Sequence, residues 1–283
     1  MKTIKADKIT QVVADLCVKA NCVLRSDVLR KLKAAYKQEK NIRAKKALEA
    51  IIKNAGIAQK EKLAICQDTG LPIVFIELGQ DVRIIGDLKK AVMRGIELGY
   101  KKGNFRESII RDPLKRGKPL YKGTIIHADI VRGSKLKITV LPKGFGCENK
   151  SQLKMFNPTA SLDEIKKFVV DVVRSSGPDA CPPYVVGVGI GGAADYAGFL
   201  AKRALLKGIN SGHQKGLSPK GTVPELEREL LFEINKLHIG PMGLGGKTTA
   251  LAVNIENYPT HIAGLPVAVN INCHALRSAS VRL

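Results

Sequence analysis

Six cysteines, Cys17, Cys22, Cys66, Cys147, Cys181 and Cys273, are the residues of this chain best suited to hold a soft metal. In a long chain with no apolar leader they do not read as a disulfide framework. No two of them form Cys-x-x-Cys, so a zinc ribbon and a local ferredoxin-type cluster motif are both absent. On spacing alone each is a small buried hydrophobe. Other candidates are equally plain when taken singly. Asp68 reads as a turn-capping aspartate, Arg106 as a solvated surface arginine and His261, near a strand, as a structural hydrogen-bond donor.

Two glycine-rich segments invite a nucleotide. Gly187-Val-Gly-Ile-Gly-Gly192 fits GxGxxG, after a short strand and before a helix. No strand ending in Asp or Glu follows about twenty residues on, where a ribose would need it; the chain there reads HQKGLSPKG. Gly240-Pro-Met-Gly-Leu-Gly-Gly-Lys-Thr-Thr resembles a P-loop, but Pro241 breaks the required glycine spacing. Both segments are expected to let backbone approach something bulky, a substrate or a cofactor.

The elements that must position these residues can be read from periodicity. Ile9, Val12, Val13 and Leu16 follow helical spacing, as do Ala44, Ala47, Leu48, Ile51 and Ile52, with Asn54–Gly56 as a stop. Leu71–Leu78 is a buried-strand run, and Asp87 can cap a helix through Tyr100. Thr124–Val131 and Leu136–Leu141 read as strands joined across Arg132–Lys135, with Gly133 in the turn. Ser161-x-x-Glu164 is a capping box, Tyr184–Val188 a short strand and Ala193–Leu206 a helix. Residues 207–221 read as a loop, Thr222-x-x-Glu225 as another helix cap and 262–272 as a strand. The class is α+β, with a helical segment of about residues 1–62 packed onto a sheet core of about 63–283, as one domain.

The chain has 283 residues and a formal net charge of +22, of which residues 1–62 carry 16 Lys/Arg against 6 Asp/Glu, or +10. This charge admits nucleic acid, an acidic partner chain or an anionic substrate. Aromatic residues are only 5% and no nucleic-acid motif is present, so a basic nucleic-acid-binding protein is a remote reading. The apolar runs are too short to span a bilayer, and a cytoplasmic location is expected.

Several segments in a fixed order resemble the class I, iron–sulfur fumarases and tartrate dehydratases. They are Ala64-Ile-Cys-Gln-Asp-Thr-Gly70, Arg106-Glu-Ser with Asp112-Pro, Lys143-Gly-Phe-Gly-Cys-Glu-Asn149, Ala180-Cys-Pro-Pro-Tyr leading into Gly187–Gly192, and Ile239–Leu251. Pro259-Thr-His-Ile and Cys273-His-Ala-x-Arg277 complete the set. The resemblance implies the N-terminal domain fold of those enzymes, mixed sheets surrounded by helices. It implies a [4Fe–4S] cluster on Cys66, Cys181 and Cys273, with a fourth iron open as a Lewis acid. It implies Asp68 as the group handling the hydroxyl proton, Gln67 and Arg106 as carboxylate ligands, Gly146 as a backbone donor and His261 as a further site residue. Cys147 stands where the family more usually has Ser or Ala and is not counted as a ligand; Cys17 and Cys22 read as core, and His127 has no role.

Single-chain members are longer and carry a second domain with a threonine base. The expectation is therefore an α subunit that needs a separate β subunit to supply the proton-abstracting base. The first reading is fumarate hydratase, interconverting fumarate and L-malate; the alternative is L-tartrate dehydratase, forming oxaloacetate.

Overall fold

A computed structural model describes residues 2–209 and 222–283. In chain order its elements are β1 (Lys2–Lys5), α1 (Ala6–Cys22), α2 (Ser26–Gln38), α3 (Ile42–Glu61), β2 (Leu71–Gly79), β3 (Val82–Ile85) and α4 (Leu88–Lys102). There follow β4 (Ile125–Val131), β5 (Leu136–Lys143), α5 (Phe145–Glu148), β6 (Gln152–Phe156), α6 (Leu162–Ser176), β7 (Tyr184–Gly192) and α7 (Ala194–Ala204). The last are α8 (Val223–Asn235), a 3-10 turn at Pro241–Gly243, β8 (Ala250–Thr260), β9 (Leu265–Asn272) and β10 (Ala279–Arg282). This is the α+β arrangement of helices and mixed sheets that the sequence implies. The chain gathers into two compact units.

The first unit comprises Met1–Arg25, Asn54–Phe145 and Arg277–Leu283. Its main sheet has the order β10-β5-β2-β4, with β2 antiparallel to β5 and parallel to β4, while β1 and β3 form a small parallel pair. Val74, Ile76, Ile138 and Val140 join Ile9, Val13 and Cys17 of α1 and Val92 and Ile96 of α4 in one apolar core. The strands read as β4 and β5 are present but are not neighbours: β2 lies between them. Ile73, Val74, Phe75 and Ile76 are all buried, so β2 takes the central position and β4 the edge. The Gly133 and Lys135 carbonyls instead accept from Asp81 and Gly79, wrapping the connection round the end of β2. Asp87 caps α4 as expected, its side chain accepting from the Lys90 N–H.

The second unit comprises Ser26–Lys53 and Gly146–Leu276. Its sheet has the order β6-β9-β7-β8, with β7 antiparallel to β9 and parallel to β8. Ile165, Val169, Val172 and Val173 of α6, with Leu226, Leu230 and Ile234 of α8, pack with Val186, Val188, Val253 and Val269 of the strands. The Ser161–Glu164 capping box forms as read. At α8 the Thr222 side chain makes no capping bond; proline early in the helix sets the turn there.

Three sequence expectations are corrected. Residues Asn54–Gly56 do not stop a helix, because α3 continues to Glu61; Gly56 lies in it with open space around it. Glycines 187–192 lie within β7 and not after it. They also do not face a bulky ligand. A Cβ at Gly187 or Gly189 would sit 2.1 Å from the Ala201 or Ala197 carbonyl oxygen, so these glycines let α7 lie directly on the strand. The P-loop-like segment is likewise folded on itself: a Cβ at Gly240 would fall 1.5 Å from the Gly245 oxygen, and one at Gly246 would strike the Glu39 carboxylate. The expected loop at 207–221 falls, for residues 210–221, outside the described residues.

Candidate active site

In the first unit the segment between α3 and β2 is anchored from both sides. The Ile65 N–H donates to the Asn21 carbonyl at 2.9 Å and the Asn54 amide donates to the Ile65 carbonyl at 2.9 Å. Asp68 accepts at three oxygens. Its Oδ1 takes the Gly70 N–H at 2.9 Å, its Oδ2 takes the Phe145 N–H at 2.8 Å and its carbonyl takes Arg277 Nη2 at 2.7 Å. The turn-capping reading of Asp68 therefore holds, and a second contact fixes the same carboxylate to the end of β5.

Thr69 is buried and donates through Oγ1 to the Arg106 carbonyl at 2.9 Å, while Tyr100 Oη donates to the Thr69 carbonyl at 2.8 Å. Burial pushes the Tyr100 phenol above its ordinary range, so it is a standing donor. Gly70 closes the turn at φ +77°, where a Cβ would lie 2.8 Å from the Lys143 nitrogen.

Between these anchors Cys66 is half-exposed and Gln67 exposed, with the Cys66 thiol 3.4 Å from Gln67 Oε1. Arg106 is exposed, and its guanidinium makes no ion pair or side-chain hydrogen bond among the described residues. Thr69 Oγ1 thus ties the Arg106 main chain to the segment that carries Cys66, Gln67 and Asp68. Such a set can receive an anion on Arg106 and Gln67 beside a fixed carboxylate.

In the second unit His274, the residue after Cys273, is tied to the Cys181 carbonyl. The His274 N–H donates to the Cys181 oxygen at 3.3 Å, and His274 Nδ1 lies 3.0 Å from the same oxygen. A carbonyl only accepts, so the imidazole carries its proton on Nδ1 when this bond is made. Cys181 has φ +56°, an uncommon conformation for a residue with a side chain. Its neighbours are held by the glycine segment, where the Met242 N–H donates to Pro182 at 2.8 Å and Glu39 Oε2 accepts from Lys247 N–H at 2.8 Å.

Gly146 lies exposed in α5, with open space where a Cβ would stand. His261 lies exposed in the turn between β8 and β9. Its Nδ1 accepts the Ala263 N–H at 3.1 Å, which leaves the proton to Nε2 in the neutral ring.

The six cysteines separate by environment. Cys17, Cys22 and Cys147 are buried, and burial raises the Cys17 thiol well above its ordinary range and raises that of Cys22. The Cys147 thiol, 5% exposed, points at the Ala180 carbonyl 3.4 Å away. Cys66, Cys181 and Cys273 are the three with surface access. A cluster needs space beside each sulfur that packed side chains do not fill, so the donor set fits an iron–sulfur cluster better at these three than at the buried thiols. Among the described residues no three His, Cys, Asp or Glu side chains gather to hold a single metal ion. A cluster does not require it, because each of its thiolates binds a different iron.

Sequence reasoning left four contributors without a role. Arg277, Asn21, Tyr100 and Thr69 hold the Cys66–Gly70 segment, and of these Thr69 and Arg277 stand in quoted motifs. The others carry no local signal; their partners lie 31 or more residues away in the chain.

Comparison with known proteins adds the following. The profile of a family described as "Fumarate hydratase (Fumerase)" matches residues 10–282. The chain is 40% identical over 283 residues to the "Putative L(+)-tartrate dehydratase subunit alpha" of Methanocaldococcus jannaschii, covering 98% of each. It is 30% identical over 281 residues to the "L(+)-tartrate dehydratase subunit alpha" of Escherichia coli strain UTI89, covering 98% of this chain and 91% of that one. For the protein of the same name from E. coli strain K12 the figure is 29% over 279 residues, covering 97% and 90%.

Proposed function

The chain belongs to the fumarate hydratase (Fumerase) family of hydro-lyases, and on that premise we propose that it is the α subunit of an iron–sulfur enzyme that dehydrates a four-carbon hydroxy-dicarboxylate. The observation that carries this reading is the juxtaposition of half-exposed Cys66, exposed Gln67 and Arg106, and the doubly anchored Asp68 carboxylate.

In this reading Cys66, Cys181 and Cys273 hold a [4Fe–4S] cluster. The chemistry such a cluster supplies when bound is Lewis acidity at an iron that has no cysteine ligand, which eases departure of hydroxide. Arg106 takes one substrate carboxylate in a two-point contact, and Gln67 donates its amide to the same anion. Each Asp68 oxygen keeps a lone pair beyond its backbone bond, so the carboxylate can meet the substrate hydroxyl and hold or hand over its proton there. Gly146 and His261 Nε2 are further donors in the second unit. A separate β subunit supplies the base that removes the proton from the adjacent carbon.

Two substrates compete. The family's description favours fumarate and L-malate. The names of the relatives above favour L(+)-tartrate, which differs from malate by one hydroxyl. The test is to express the chain with a second subunit without oxygen, load the cluster, and assay L-malate, fumarate and L(+)-tartrate side by side. Turnover of one identifies the substrate; turnover of none in a cluster-loaded complex refutes the hydro-lyase reading.

A further inference from the structure

Arg277 is 3% exposed, yet no carboxylate pairs with it among the described residues. Its Nη2 donates to the Asp68 carbonyl at 2.7 Å and its Nη1 to Asn21 Oδ1 at 3.2 Å. Its Nε is buried with no partner. Burying a guanidinium against neutral acceptors, with one donor unsatisfied, is unfavourable. A core apolar residue would serve packing better, so a different requirement must retain the charge.

The partners indicate what that requirement is. Asn21 ends the buried face of α1, its Nδ2 donating to the Cys17 carbonyl and its own carbonyl receiving the Ile65 N–H. The planar fork of Arg277 therefore spans from the end of α1 to the main chain of Asp68 and sets their separation. The Asp68 side chain is already held from the other side by the Gly70 and Phe145 N–H groups. Main chain and carboxylate are thus clamped at once, and the main-chain clamp is the guanidinium. A lysine ammonium has donors enough for both acceptors but lacks the rigid planar fork that fixes their separation.

We propose that Arg277 is a positioning residue: it fixes the orientation of Asp68 toward the substrate hydroxyl without touching substrate itself. This rests on the role given to Asp68 above. Misplacing a reacting group by about 1 Å costs on the order of 100-fold in rate. Arg277→Met, in the cluster-loaded complex with its second subunit, is accordingly expected to lower kcat per cluster about 100-fold, while Arg277→Lys falls between it and wild type. KM should stay within about threefold, and iron and sulfide content should not change, because neither substrate nor cluster is touched.

Arg277→Lys keeps a charge in the cavity and carries the test if Arg277→Met fails to fold. An unchanged kcat per cluster in Arg277→Lys, a rise in KM at constant kcat, or loss of iron from a folded variant would each overturn the proposal. Asp68→Asn separates the two layers. If it keeps full turnover, the Asp68 reading fails and takes this inference with it. If it is inactive while Arg277→Lys is unimpaired, this inference alone fails.

Discussion

At the scale of single residues, exposure divides thiols that spacing could not. Replacing Cys66, Cys181 or Cys273 by Ser is expected to abolish the visible absorbance and iron content of the reconstituted complex, whereas Cys147→Ser leaves both in place; iron analysis and absorbance check it. Arg106→Lys keeps the charge but loses the two-point contact, so KM should rise about tenfold with a smaller change in kcat, read in steady-state assays. Asp68 was legible as a turn residue from its type alone. Its anchorage by Phe145 was not, because that bond joins positions 77 apart. Arg277 stands in a quoted motif, but its task is not legible there, because its partner Asn21 lies 256 residues away.

At the scale of elements, periodicity located most helices and the central strand but misjudged the glycines. Glycine is the usual mark of a turn or a ligand-hugging loop, and nothing local says that a helix backbone will lie against it. Gly189→Ala should destabilise the protein by about 2–3 kcal/mol, since its Cβ would meet the Ala197 carbonyl at 2.1 Å. Gly198→Ala, on the open side of α7, should stabilise it by about 0.5–1 kcal/mol. Urea denaturation of the two variants checks both signs. The strands β1, β3, β6, β8 and β10 were missed. All but β8 are short, and β8 follows directly on the glycine segment that suggested a nucleotide loop.

The capping box of α6 gives a pH test. The Ser161 N–H holds the Glu164 carboxyl below its usual range. Its folded pKa lies below the unfolded one, so the contribution is present above the unfolded carboxyl range and fades as pH falls through the folded one. Melting temperatures of wild type and Glu164→Ala should differ at neutral pH and draw together in acid.

At the scale of the whole molecule, the net charge of +22 bears on a doubly negative substrate. Attraction of that kind acts on encounter, so kcat/KM should fall severalfold between roughly 0.05 and 0.5 M salt while kcat changes little. Stopped assays across a salt series check it. The order of motifs along the chain was the most legible feature of all, and the family match over residues 10–282 agrees with it. Substrate choice was not legible, because the two candidate acids differ by one hydroxyl.

The anchored segment from Ile65 to Gly70 also has a meaning for evolutionary change. Asp68 and Thr69 are each committed to a backbone bond through the side chain and Gly70 to a close approach, so replacing any of them disturbs a neighbour. Gln67 and the side chain of Arg106 carry no such commitment. A lineage drifting from one four-carbon acid to another has those two addresses open to it in the first unit, while Asp68, Thr69 and Gly70 are closed.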